Sequence, residues 1–237
     1  MNNIIHINKV SSTNTKIREY EHILNTEKYV ALYSDIQEQG RGRKGRVWES
    51  THSDNIYLSI MTKTEIDDIN MLTILAGVTL CEVLEKCSNL NPKIKWANDI
   101  YVKEKKLAGI LTETSYIGTT LNYSIVGIGV NLNNKSFENY SETATSVYLE
   151  TLKSYDKVSI IKNIIEQFNY NLNRYLEDSF DIKEYEQKIF HINKTVYLDE
   201  ELVLTKGVTK NGNLIVETSQ GELITLTFQE VSIKIKE

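Results

Sequence analysis

Apolar and polar residues alternate at the start of the chain, where Ile4, Ile5 and Ile7 sit among asparagines and His6. This predicts a short first strand. Ser11, Ser12, Thr13 and Asn14 then supply cap-type residues ahead of Ile17, Tyr20, Ile23 and Leu24, whose spacing is helical. Residues 29–36 and 55–61 have the texture of strands. The stretch 37–49 holds three glycines and no apolar period until Val47 and Trp48, which predicts a loop. Residues 69–84 predict a long helix, amphipathic or buried. Short strands follow at 93–96, 100–102 and 107–114, the last two joined as a hairpin by the turn at 103–105. The run 121–132 is mostly apolar and suits a sheet centre. After a polar stretch at 133–145, Ile161, Ile164, Ile165, Phe168, Leu172, Tyr175 and Leu176 share one face of a helix over 158–176. A shorter helix is expected over 182–189.

The texture changes after this. Short strand-like runs at 196–198, 202–208, 214–218, 223–228 and 231–235 are separated by turn residues at 210–213 and 220–221. The pattern predicts an α+β protein: a mixed-sheet domain with helices over 1–190, and a small SH3-like β-barrel over 191–237.

Composition narrows the classes. The 237 residues are 41% apolar, enough for one substantial core, or for one core plus a small satellite domain. The net charge of −5 argues against a general nucleic-acid binder, so any anion site is local. Cys81 and Cys87 are six apart and form no CxxC pair, and both are read as reduced thiols. His6, His22, His52 and His191 lack ligand spacing, and none is assigned to a metal. The first ten residues lack the basic start and apolar run of a signal peptide, and no run reaches membrane-spanning length. A cytoplasmic protein without a membrane partner is the expectation.

Three motifs carry chemistry. The loop Gly40-Arg41-Gly42-Arg43-Lys44-Gly45-Arg46 combines glycines, which let backbone amides approach an anion, with side chains that bond carboxylate or phosphate. Its spacing is neither a Walker loop nor a dinucleotide fingerprint. It stands equally open to a small-molecule site and to a solvated basic, RNA-binding tract; its place after a strand and before Trp48 favours the site. Lys95-Trp96-Ala97-Asn98-Asp99 precedes Lys106-Leu107-Ala108-Gly109-Ile110-Leu111. Here the apolar residues can pack while Lys95, Asn98, Asp99 and Lys106 project from strand ends. Lys106 suits a carboxylate or α-phosphate, and Asp99 suits Mg²⁺; the bland alternative is a charged hairpin, preferred for Lys103 and Lys105. Gly127-Ile128-Gly129-Val130-Asn131 ends an apolar strand with two glycines. They imply either a ligand close to the backbone or a β-bulge.

Taken in order, Ser11-Ser12-Thr13-Asn14, GRGRKGR, KWAND followed by KLAGIL, and GIGVN resemble the biotin–protein ligase family over nearly the whole chain. The resemblance is to the form that starts at the catalytic domain, without a DNA-binding segment or a DNA partner. It implies that Ser12, Thr13, Asn14 and Gln37 bind the ureido end of biotin. Gly40, Arg41, Gly42 and Arg43 would form a loop closing over biotin and its adenylate, Gly127 would approach the biotin chain, and Lys106 would contact the carboxylate and activated phosphate. Arg46, Trp48, Asn98, Asp99 and Asn131 would serve ATP, with Asp99 also offered to Mg²⁺. Lys106, Arg43 and Asp99 are the expected catalytic set. Two positions depart from the family pattern: Ala97 replaces the proline of KWPND, and Lys44 replaces a second arginine, losing any bidentate contact.

The implied reaction joins biotin to a lysine of a biotin carboxyl carrier protein through biotinyl-5′-AMP, with a homodimer as in relatives. The rivals are a lipoate or octanoate ligase or transferase, which would need an apolar tunnel, and a non-enzymatic RNA-binding module, whose basic, aromatic-interleaved face is missing.

Overall fold

A computed structural model describes residues 3–66, 68–138, 140–228 and 233–235. Seven strands form one mixed sheet: β1 (Ile4–Val10), β2 (Tyr29–Gln37), β3 (Ile56–Thr62), β4 (Lys93–Lys95), β5 (Asp99–Val102), β6 (Lys105–Ile117) and β7 (Thr120–Val130). Their order is β1-β2-β3-β7-β6-β5-β4. Only β1 and β2 run parallel. Parallel neighbours need a crossover, and it is supplied by one α-turn, α1 (Thr13–Lys16), running into a 3-10 segment (Ile17–Asn25). The helix expected there is thus mostly 3-10. Ser12 sits at the cap position but its side chain makes no cap hydrogen bond.

The central strands separate two environments by alternation. Ile56, Leu58 and Ile60 of β3, with Val126 and Ile128 of β7, join the main core beneath α2 (Asn70–Ser88) and α4 (Lys157–Leu176). Met61, Tyr123 and Ile125 point the other way and pack with Ile17, Val30 and Leu32. Helix α2 is apolar nearly all round, as a helix between a sheet and a second helix layer must be, and stops at Asn89 in the left-handed region. Helix α4 is capped by Asp156, whose carboxylate accepts from Val158 N and Ser159 N. It buries the expected face, except that Leu176 is 47% exposed. A five-residue helix, α3 (Val147–Thr151), follows the polar stretch and was not anticipated.

After α5 (Ile182–Lys188), strands β8 (Thr195–Leu198), β9 (Glu201–Val208), β10 (Leu214–Glu217), β11 (Leu223–Leu226) and β12 (Ile233–Ile235) form a second sheet in the order β11-β10-β9-β8-β12, all antiparallel. This is the SH3-like unit; Val231, at the start of the last expected strand, lies outside the described residues. Val196, Val203, Leu214, Val216 and Leu226 belong to the same core as the large sheet. Trp96 is the key at the junction. Its indole Nε1 donates to Gly212 O at 2.9 Å, its ring meets Phe228 edge-on at 5.4 Å, and its backbone N–H donates to His191 Nε2 at 3.0 Å.

Candidate active site

Register builds the site. On one face of the three central strands, Ser59 lies opposite Gly127, and Gly127 and Gly129 lie opposite Leu111 and Gly109. Three glycines and a serine leave a hollow where larger side chains would have filled the sheet face. The ladder is regular at these pairs, so Gly127 and Gly129 mark no bulge. Each clears space for a neighbour: a Cβ on Gly127 would stand 2.4 Å from Asn14 Oδ1, and one on Gly129 would stand 2.5 Å from the Trp48 ring. The hollow opens into a cavity of about 330 Å³.

One end is neutral and hydrogen-bonded. Gln37 Oε1 accepts from Thr13 N at 2.8 Å and from Thr13 Oγ1 at 3.1 Å, and Gln37 Nε2 donates to Ser50 Oγ at 2.9 Å. Ser59 Oγ donates to Asn14 Oδ1 at 2.6 Å, and Asn14 Nδ2 donates to Glu113 Oε2 at 2.9 Å. Ser12, Thr13 and Asn14 are buried, so these bonds fix the amide and hydroxyl orientations.

The other end is ionic. Lys106 Nζ pairs with Asp99 Oδ1 at 2.8 Å and lies 5.3 Å from the centre of the Trp48 ring. Arg43 donates to Asn98 Oδ1 at 2.7 Å and to the carbonyl of Phe228, and burial lowers the pKa of its guanidinium. Asn98 Nδ2 is held by Ile110 O at 2.9 Å. Burial also lowers the Lys95 pKa against the pull of Asp99. An anion entering here would favour the charged forms of both.

The glycine-rich loop is a small hairpin. Arg41 and Val47 form an antiparallel bridge, Gly42 N donates to Arg46 O at 2.7 Å, and Trp48 N donates to Gly40 O at 2.9 Å. Only Gly45 uses a positive φ, of 72°, beside Lys44 at 55°. Gly40 serves a close approach instead, since a Cβ there would meet Trp48 O at 2.3 Å.

The cavity therefore brings together Ser12, Thr13, Asn14, Gln37 and Gly127 at its neutral side with Arg41, Gly42, Arg43, Arg46, Trp48, Asn98, Asp99 and Lys106. Gly40 and Asn131 do not line it. Gly40 forms the neck of the hairpin, and buried Asn131 donates from Nδ2 to Thr145 O at 3.1 Å, tying the end of β7 to the segment before α3. Sequence reasoning missed Gly109, which lines the cavity, and Ser59 and Glu113, which brace it through Asn14; only the strand register brings them here. It also gave no role to Lys95, although KWAND had displayed it.

The sequence model of the Biotin/lipoate A/B protein ligase family matches residues 7–131, which carry every strand of this cavity. The chain belongs to that family. Among solved structures, it is similar to the biotin protein ligase from Aquifex aeolicus in complex with biotin and ATP, with a TM-score of 0.86, 28% identity and full coverage of both chains. Among curated family members, it is 30% identical over 182 residues to the bifunctional ligase/repressor BirA of Bacillus spizizenii, covering 75% of this chain and 56% of that protein. It is 27% identical over 196 residues to BirA of Escherichia coli K12, covering 79% of this chain and 61% of that one. The chain thus spans somewhat more than half the length of these ligase/repressors. Among the described residues, no helix is long and apolar enough to cross a membrane.

Proposed function

We propose that this family member activates biotin with ATP and transfers it to a lysine of a biotin carboxyl carrier protein. The observation that carries the reading is the polarity of this cavity: a neutral hydrogen-bonding end built by Ser12, Thr13, Asn14 and Gln37, and a cationic end built by Arg43, Lys95 and Lys106 around Asp99. A ureido ring needs donors and acceptors without net charge, whereas a carboxylate and a triphosphate need cations. A lipoyl or octanoyl chain would leave the polar end unsatisfied.

In the first step a biotin carboxylate oxygen attacks the α-phosphorus of MgATP, the bond to the bridging oxygen breaks, and pyrophosphate leaves. In the second, the carrier amine attacks the acyl carbon of biotinyl-5′-AMP, the bond to the adenylate oxygen breaks, and AMP leaves as the amine loses a proton. The reactants of the first step are both anions. Two unit charges about 4 Å apart repel by roughly 4 kcal/mol at an effective dielectric near 20, so a placed cation offsets a large part of the barrier. Lys106 is a cation of the ionic end whose Nζ is held by one carboxylate oxygen of Asp99, and the other oxygen would be available to the magnesium that accompanies the nucleotide. The glycine-rich hairpin closes over the adenylate and protects it from water. A cytoplasmic location and a homodimer formed along an exposed sheet edge complete the reading.

The test is ATP–pyrophosphate exchange with biotin or lipoate as the acid. Exchange dependent on biotin alone supports the reading. Exchange with lipoate alone, or none with either, refutes it.

A further inference from the structure

Glu113 lies on β6 two residues beyond Leu111, on the strand face that carries the cavity. A single oxygen, Oε2, accepts from Asn14 Nδ2 at 2.9 Å and Arg41 Nη2 at 3.1 Å and forms a looser ion pair with Arg18 Nη2 at 3.6 Å, so three segments meet on it. Asn14 belongs to α1 at the neutral end, Arg18 to the 3-10 segment behind it, and Arg41 to the first leg of the hairpin. Arg41 Nη2 also donates to Thr15 Oγ1 at 3.3 Å, so the hairpin leg is held where the neutral end begins. We propose that Glu113 is a positioning residue that locks the glycine-rich hairpin to the biotin end of the cavity and sets the orientation of the Asn14 amide.

The orientation follows from chemistry. An ionised carboxylate only accepts, so it draws the Nδ2 of Asn14 to itself and leaves Oδ1 to Ser59. The Leu111 carbonyl also accepts from Nδ2, at the longer distance of 3.3 Å, so the carboxylate reinforces a choice that the backbone shares, and a neutral amide at position 113 would not add to it. The loop follows from connectivity. Arg41 bridges to Val47, so holding the Arg41 leg holds the whole hairpin. The arginine pairs are partly exposed, and each is weak alone. The bond to Asn14 is charge-assisted and shielded, and it makes the cluster more than a surface pair. Glu113 touches no reacting atom; it acts through Asn14 and Arg41.

The inference rests on the biotin reading for its consequence and on the free protein for its geometry, and the experiment separates the two. Glu113→Gln, Glu113→Ala, Arg41→Met and the double variant Glu113→Ala/Arg41→Met are compared with the parent chain. Hydrogen exchange at the Gly42 and Trp48 amides is read without ligand, and exchange kinetics are read with varied biotin. Both single losses are expected to speed amide exchange several-fold, with no further increase in the double variant. KM for biotin is expected to rise about five- to tenfold in Glu113→Ala, because only part of the lost charge-assisted bond is felt by biotin through Asn14, with kcat changed less than about twofold. Glu113→Gln should fall between the two, and it carries the test if Glu113→Ala does not fold. Unchanged amide exchange in Glu113→Gln, or single effects that add fully in the double variant, overturns the lock. Faster amide exchange in a chain whose parent shows no biotin-dependent reaction upholds the lock and refutes the biotin reading instead.

Discussion

Replacing Gly129 by alanine separates the stability of this protein from its proposed chemistry. Gly129 and Gly109 are cross-strand partners, and the Trp48 indole lies across both. A Cβ on Gly129 would stand 2.5 Å from Trp48 Cε2 and 2.6 Å from Nε1, inside any real contact distance. The strand itself would welcome the change. Position 129 does not use a positive φ, and trading glycine for alanine at a compatible site gains about 0.4–1 kcal/mol through the unfolded chain. The indole must therefore yield. Keeping it in place would cost the usual overpacking penalty of roughly 1–3 kcal/mol. Swinging it out is cheaper, because Trp48 Nε1 is buried without a hydrogen-bond partner among the described residues. Exposure to water recovers about 1–3 kcal/mol for such a group and offsets the lost ring contact. The expected stability change is within about 1 kcal/mol of zero. The nucleotide side should suffer far more. A base stacked on an aromatic ring is worth about 1–3 kcal/mol, so KM for ATP should rise roughly 5- to 150-fold while KM for biotin stays put. Pyrophosphate exchange with varied ATP measures the first effect. Acrylamide quenching reports the movement directly, because the other tryptophan, Trp96, is only 4% exposed. An unchanged KM for ATP together with unchanged quenching would refute the argument that the glycine pair exists to seat Trp48.

Lys106→Ala is expected to reduce biotin-dependent pyrophosphate exchange by at least about a hundredfold, of the order of one lost electrostatic group, with the fold intact by circular dichroism; near-normal exchange removes Lys106 from the mechanism. Burial, with Lys95 and Lys194 nearby, lowers His191 to about 3, so the native state resists a proton that the unfolded chain takes up near 6.5. Stability should thus be fully present above pH 6.5 and fall as pH drops below it, by about 2 kcal/mol at pH 5, before most carboxylates titrate. Urea unfolding at pH 7.5 and pH 5 tests this, and His191→Gln should flatten the slope. Asp156→Ala removes the α4 cap to Val158 N and Ser159 N and should cost about 1 kcal/mol in urea unfolding, with no change in KM for either substrate.

The large elements were legible because burial imposed its period on them. Strand β3 is buried along its whole length, α2 lies between two layers, and α4 has one wet face. Helix α3 escaped notice because five residues complete too little of a helical period to stand out from a polar loop. The crossover after β1 misled for a different reason. Ser12, Thr13 and Asn14 are good capping residues, but the hydroxyl of Thr13 and the amide of Asn14 are already committed to Gln37, Ser59 and Glu113. The turn is held instead by the Ser12 carbonyl, which accepts from Thr15 N and Lys16 N. Local preference gave way where the side chains were needed in the cavity.

The site was legible as a set of motifs and illegible as a surface. Motif residues declare themselves by type: glycines beside arginines, a lysine beside an aspartate. Residues that brace the cavity from behind declare themselves only by register, since a one-residue slip sends every side chain of a strand to the opposite face. Ser59 is a small polar residue inside an apolar strand, and Glu113 lies where β6 begins to turn polar; neither is unusual as sequence. The pairing of Ser59 with Gly127, Leu111 with Gly127 and Gly109 with Gly129 places all of them on one face. The same pairing explains why GIGVN and KLAGIL each contain a glycine at the matching step. One glycine alone would leave the indole of Trp48 resting on a side chain, and two opposed glycines give it a flat floor. The two motifs are therefore halves of one device, and the spacing between them in sequence is set by the β6–β7 hairpin that folds one onto the other.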